Sequence, residues 1–201
     1  MSTREVDLYI DYKSPFAYLC KDPAYDLERE MDIRLRWLPY TLDIPMFLGA
    51  VDTRTANEWR KVRYAYMDAR RWANKRGLTV RGPKKIFDSS IAGIGMLYAQ
   101  HQGVFRPYND IVYERFWKRE LEIGERDVIR AVLDEAGADT AGFSEFLAGA
   151  GRSEHDRIYA EAQERGVFGV PTFILDGELF WGVDRIDMLR ERIESGAPPA
   201  R

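Results

Sequence analysis

The chain predicts an α/β fold in which both ends build one sheet and a large all-helical segment is inserted between them. Three observations predict it. The apolar run Val6-Asp7-Leu8-Tyr9-Ile10-Asp11-Tyr12 opens directly onto Ser14-Pro15-Phe16-Ala17, a helix start. Residues 57–165 read as successive helices with hydrophobic residues at alternating spacings of three and four. Residues 166–201 then return to strand, turn, strand and helix around Asp176-Gly177, a strong hairpin signal.

Ser14 is the expected N-cap of a helix over residues 15–30, with Pro15 at its first position, where a missing N–H costs nothing. Ile33, Leu35 and Trp37 alternate with Arg34 and Arg36, the pattern of a strand with one buried face. Pro39 and Pro45 punctuate the segment after that strand. Trp59, Val62, Tyr66, Ala69 and Ala73 make the apolar stripe of a helix over residues 57–76, with Gly77 just past its end. Further helices are expected over residues 89–102, 108–121, 127–136, 140–148 and 154–165, with Asp139 and Ser153 as caps. The strand around Phe173-Ile174-Leu175 turns at Asp176-Gly177 into Glu178-Leu179-Phe180-Trp181-Gly182. Asp184 is then expected to cap a last helix that buries Ile186, Leu189 and Ile193, with a frayed tail from residue 195. Short, right-handed connections put both ends of the chain in one sheet. The expected domains are residues 1–45 with 166–201, and a helical insertion over 46–165.

Composition narrows the class. A chain of 201 residues with 45% hydrophobic and 31% charged side chains can bury a full core and carries no disordered or fibrous signature. No run approaches the ~18 apolar residues that would cross a bilayer, so no membrane partner is expected. Met1-Ser2-Thr3-Arg4-Glu5 leads straight into a strand without a signal-peptide apolar region. The single cysteine, Cys20, excludes an intramolecular disulfide, and a cytoplasmic location is expected. His101 and His155 are far apart and share no ligand spacing with Cys20, so no metal site is expected.

The net charge of −3 hides an asymmetry. Residues 54–85 hold eleven Lys or Arg against two acids, Glu58 and Asp68, whereas residues 110–165 are rich in acids. Such runs are either solvated helix faces or a basic wall facing an anionic ligand. The acidic balance of the whole chain argues against nucleic acid.

Three stretches carry a resemblance to a known family: Ser14-Pro15-Phe16, then Gly166-Val167-Phe168-Gly169-Val170-Pro171-Thr172-Phe173, then Asp176-Gly177-Glu178-Leu179-Phe180-Trp181-Gly182-Val183-Asp184-Arg185. Together they resemble the DsbA-type branch of the thioredoxin superfamily, and within it the 2-hydroxychromene-2-carboxylate isomerases and kappa-class glutathione transferases. The resemblance implies a thioredoxin-like fold with a large all-helical insertion. Thioredoxin-like proteins carry Cys-x-x-Cys at this strand-to-helix junction; here Ser14 and Ala17 stand at the two cysteine positions. The resemblance therefore implies bound glutathione as the source of sulfur. Ser14 would bond that sulfur, Val170 would pair its backbone with the cysteinyl part, Pro171 would be cis, and Asp184 would hold the γ-glutamyl ammonium with help from the Val183 backbone. The implied reaction is glutathione-dependent isomerisation or transfer on a small aromatic or unsaturated electrophile, carboxylated or not, by reversible conjugate addition. Arg63, Arg70 or Lys85 would steady the resulting enolate-like charge.

Blander roles stand beside these. Ser14 and Asp184 serve equally as helix caps, Pro171 as a trans residue at a strand edge, and Cys20 as a packed thiol. Tyr12, Phe16, Tyr18, Trp37 and Trp181 are expected in the core. Where many isomerases carry Pro-Asn, this chain has Ile86-Phe87-Asp88-Ser89-Ser90, and a carboxylate facing the site there would disfavour an anionic substrate. A redox-inactive protein that binds thiol peptides and a DsbA-like oxidoreductase are the alternative functions, and self-association into a homodimer stays open.

Overall fold

The computed structural model describes residues 3–196 and residue 198. Four strands, β1 (Arg4–Ile10), β2 (Ile33–Pro39), β3 (Thr172–Leu175) and β4 (Glu178–Trp181), form a mixed sheet in the order β2-β1-β3-β4. β1 runs parallel to β2 and antiparallel to β3, and β3 antiparallel to β4. Leu8 lies opposite both Trp37 and Phe173, so the register joins the two ends of the chain across one central strand. The parallel pair is connected by α1 (Pro15–Glu30).

Between β2 and β3 come α2 (Ile44–Leu48), α3 (Ala56–Lys75), α4 (Ser90–His101), α5 (Phe105–Lys118), α6 (Arg126–Glu135), α7 (Phe143–Ala148) and α8 (Ala150–Glu164); α9 (Ile186–Ser195) comes after β4. Alternation along β1 decides what each sheet face packs against. Val6, Leu8 and Ile10 join a core shared with α1, α4, α5 and α6, while Tyr9 and Ile174 face Leu97, Ile158, Ala162 and Val167 on the other side. Asp7, nearly buried in β1, is held by Arg36 and Arg165, each at 2.5 Å. Among the described residues no helix is long and apolar enough to cross a membrane, and no group of three His, Cys, Asp or Glu is placed to hold a metal ion.

Several expectations are corrected. β1 ends at Ile10, so Asp11 and Tyr12 belong to the turn before α1. In the segment that Pro39 and Pro45 punctuate, Asp43 accepts from the Met46 N–H at 3.0 Å and Pro45 sits in the first turn of the short helix α2. α3 starts earlier than the apolar stripe, because Thr55 and Glu58 form a reciprocal capping box. α5 both starts and ends three residues earlier than expected, closing on Arg119 in a left-handed conformation at φ 63. Asp139 accepts from Ala141 within the turn before α7 and caps no helix. Ser153 lies inside α8. Asp184 caps nothing: it sits in a 3-10 turn, Val183–Arg185, and α9 begins after it. Trp181 is 45% exposed, its ring tilted against that of Phe168 with centroids 4.7 Å apart, instead of buried. Tyr12, Tyr18, Trp37 and Cys20 are buried as expected, and Phe16 is partly buried. Of the expected frayed tail, Ser195 closes α9 and Gly196 takes a left-handed conformation there; residues 197 and 199–201 lie outside the described residues.

Candidate functional site

Ser14 is the N-cap of α1: its Oγ accepts from the Ala17 N–H at 3.2 Å. The same Oγ donates to the Val170 carbonyl at 3.2 Å, from a residue 156 positions later. The Val170–Pro171 bond is cis. A single hydroxyl thus pins the positive end of a 16-residue helix to the segment entering β3. The Val170 N–H has no protein acceptor among the described residues. The buried junction thus joins an engaged hydroxyl to a backbone donor without a protein acceptor.

The turn before Ser14 is built by a charged pair. Asp11 accepts from the Lys13 N–H at 3.1 Å and from the Leu42 N–H at 2.8 Å. Its carboxylate lies 3.5 Å from the Lys13 ammonium, with both side chains buried. Lys13 also donates to the Phe87 carbonyl at 3.4 Å, and the Ser14 N–H bonds the Asp11 carbonyl at 3.0 Å. The pair is satisfied on both sides, which is what a buried ion pair requires. It fixes the path of the chain into Ser14 and ties it to the segment before α4.

The Val183–Arg185 turn packs against α1. The Asp184 side chain is 59% exposed there, 3.4 Å from the Arg185 guanidinium. Trp181 closes over Gly169, where a Cβ would come within 2.7 Å of the indole nitrogen. Glycine is required at that position by the approach of the ring.

A cavity of about 450 Å³ opens beside the junction, with Lys13 in its wall. α3 supplies one helical face to it, Trp59, Val62, Arg63, Tyr66 and Arg70. Apolar side chains of Ile44, Leu48, Val51, Ile86 and Phe87 complete the lining. Arg54, Lys84, Lys85 and Arg119 add positive charge, and no Asp or Glu lines it. Burial pushes the Tyr66 hydroxyl up despite the nearby Arg54 and Arg70 charges. Arg63, Arg70 and Lys85, singled out from the sequence as charge donors, share this wall, whereas Ser14, Val170, Pro171, Val183 and Asp184 lie outside it. Asp88 is not in the lining either: it accepts from the Ser90 N–H at 2.9 Å. Partial burial pushes its carboxyl up, but the Ser90 hydrogen bonds, with Arg152 and Lys13, outweigh this and leave it lowered. Cys20 is fully buried, and burial drives its thiol far up against a weak opposing effect of Arg76.

Sequence reasoning missed the Asp11–Lys13 pair. Its signal was present, since two charges flank Tyr12 where an apolar strand should end in a neutral turn. It also missed Trp59, Tyr66 and Phe87 as cavity walls, because their helical or strand-like spacing reads equally as core.

The fold and this junction define the class. The model of the DSBA-like thioredoxin domain matches residues 5–194, and the chain belongs to that family. Among curated relatives, a 2-hydroxychromene-2-carboxylate isomerase of Sphingobium xenophagum is 29% identical over 191 residues, covering 93% of this chain and 96% of the relative. A solved 2-hydroxychromene-2-carboxylate isomerase superposes with a TM-score of 0.79 at 28% identity, covering 95% of each chain. A probable DsbA oxidoreductase from Streptomyces coelicolor superposes with a TM-score of 0.78 at 17% identity, over 98% of this chain and 93% of that one. A likeness at that identity speaks to the fold alone, so the site residues must carry the functional reading.

Proposed function

We propose that the protein is a glutathione-dependent isomerase of the 2-hydroxychromene-2-carboxylate isomerase type. The observation that carries this reading is the Ser14 hydroxyl on the α1 N-terminus, bonded to Val170, whose N–H has no protein acceptor among the described residues, in a fold whose disulfide chemistry would need two cysteines there. The only cysteine of the chain is buried and cannot replace them.

The residues fit a thiol tripeptide. Ser14 would hold the sulfur, its hydroxyl turning from the Val170 carbonyl to donate to a thiolate, which favours the charged form. The helix terminus adds positive potential at the same point. The Val170 N–H would take a peptide carbonyl as an added strand edge does. Asp184, exposed on the turn against α1, would meet the γ-glutamyl ammonium. When bound, glutathione would supply a thiolate able to add reversibly to an unsaturated carbonyl. Cations of the cavity wall would steady negative charge on the electrophile's oxygen, and the aromatic walls would hold its ring away from water.

The test is calorimetric titration with reduced glutathione, followed by absorbance assays on 2-hydroxychromene-2-carboxylate with and without it. Binding together with glutathione-dependent isomerisation is expected. A saturated site raises stability by about 2.7 kcal/mol at a hundredfold excess over Kd. Absence of binding at millimolar glutathione overturns the proposal. Binding without turnover on any unsaturated or aryl-halide electrophile supports the thiol-binding alternative instead.

A further inference from the structure

Among the described residues, Lys13 is the only buried cation of the cavity wall. Its side chain is 7% exposed, whereas Arg63, Arg70, Lys84, Lys85 and Arg119 are exposed and Arg54 is half-buried. Lys13 is also the lining residue next to Ser14 in the chain, so it joins the cavity to the α1 N-terminus. Its ammonium is fixed from two sides. The Phe87 carbonyl accepts from it at 3.4 Å, and the Asp11 carboxylate lies 3.5 Å away. Asp11 is itself held by the Lys13 and Leu42 N–H groups. An ammonium carries three N–H donors. Phe87 and Asp11 account for two, and the third has no acceptor among the described residues. A buried charge with an unused donor acts more strongly on a neighbouring anion than an exposed charge does, because water and salt screen it less. Being already held in place, it needs no reorientation when negative charge develops beside it.

We propose that Lys13 is a catalytic residue, whose unused N–H donates to the oxygen of an unsaturated carbonyl compound on which negative charge gathers when a thiolate adds to it. Addition forms a carbon–sulfur bond and moves one electron pair through the conjugated system to that oxygen. Loss of the thiolate returns the pair and restores the double bond, so no oxidant, reductant or net proton is consumed. The catalytic role rests on the isomerase reading; the oxyanion-binding site rests on the geometry alone. The exposed cations of α3 are left to attract the substrate, and the buried one to stabilise the charge that forms on it.

The first test needs neither turnover nor glutathione. 4-Nitrophenol, whose ionised form is yellow, is titrated against pH with the protein in excess. The bound phenol is expected to ionise about one pH unit lower than the free one, a roughly tenfold shift toward the phenolate. The shift should persist as salt is raised to about 0.5 M, which screens exposed charges far more than a buried one. Asp11→Asn removes the ion pair but keeps the ammonium, and should keep the shift. Asp11→Asn combined with Lys13→Met removes both and should abolish most of it, with melting temperature monitoring the fold. A phenol that does not bind, a shift that salt removes, or an equal shift in the two variants overturns the proposal; the salt series decides in the parent protein even where a variant fails to fold. The second test is turnover of 2-hydroxychromene-2-carboxylate with glutathione. Relative to Asp11→Asn, the double variant should lose about 100-fold in kcat while binding glutathione equally well. Equal kcat in the two variants overturns the catalytic role and leaves the isomerase reading intact. If the parent protein neither binds glutathione nor turns over, yet the phenolate shift depends on Lys13, the oxyanion site stands and the isomerase reading alone is lost.

Discussion

The Ser14 hydroxyl donates to the Val170 carbonyl at 3.2 Å while accepting from the Ala17 N–H at 3.2 Å. One oxygen therefore serves as helix cap, tertiary contact and candidate ligand group. Ser14→Ala removes all three roles. Loss of the cap and of the contact together should cost about 1–2 kcal/mol, seen as a lower denaturant midpoint. The functional effect should be larger: the thiol pKa of bound glutathione, tracked by ultraviolet titration of the thiolate band, should rise. An unchanged thiol pKa in a folded variant restricts Ser14 to its structural roles.

The buried Asp11–Lys13 pair leads to a second prediction. Lys13→Met leaves the Asp11 carboxylate with two backbone donors and no counter-charge, a loss of about 3–5 kcal/mol. The double variant Asp11→Asn with Lys13→Met should recover part of that loss, since asparagine can still accept from Leu42. Thermal melts of the two proteins decide it. A double variant less stable than the single one would show that the charge on Asp11 is not the source of the cost.

Cys20 should be inert. The native protein should resist a thiol reagent at pH 8, reacting only once unfolded, and Cys20→Ser should keep glutathione binding at a cost of about 1–3 kcal/mol for its buried hydroxyl. Burial sets the sign of the pH effect. The folded thiol stays protonated, whereas the unfolded one ionises near its ordinary value of 9.0. The unfolded state therefore binds fewer protons above that pH, and stability falls as pH rises through it. The Cys20→Ser variant should show a shallower decline between pH 8 and 10. Identical slopes in both proteins would remove Cys20 as a contributor.

Asp184→Asn should weaken glutathione binding without changing the melting temperature by more than about 1 °C, because its exposed carboxylate caps no helix and, among the described residues, pairs only with the neighbouring Arg185. Measured affinity in the variant equal to that of the parent would detach the C-terminal half of the proposed glutathione site.

Legibility in the sequence tracked the locality of the interaction. The Ser14-Pro15 helix start, the Asp176-Gly177 hairpin and the alternation in β2 depend on neighbours within a few positions, and each was readable. That both ends share one sheet came from the order of elements, whereas the central place of β1 emerged only from the structure. Element edges were less legible where a polar cap set the start: Thr55 with Glu58 starts α3 one residue earlier than expected, and Asp43 caps the short α2 that contains Pro45. Trp181 was misplaced because its neighbour across space is Phe168, thirteen positions away on a loop, and no periodicity records such a contact. The Asp11–Lys13 pair depends on Leu42 and Phe87 for its remaining partners, so its burial could not be read locally.

The strand order has a consequence for synthesis. β1 is synthesised well before its antiparallel partner β3, which begins only at Thr172. Until then one edge of β1 has nothing to pair with, and the Ser14 hydroxyl lacks its Val170 acceptor. A nascent chain stalled before that point exposes an apolar, unpaired strand edge, the kind of surface that chaperones hold and that aggregates when they do not. Competence of the junction around Ser14 thus waits until Val170 and β3 have been made.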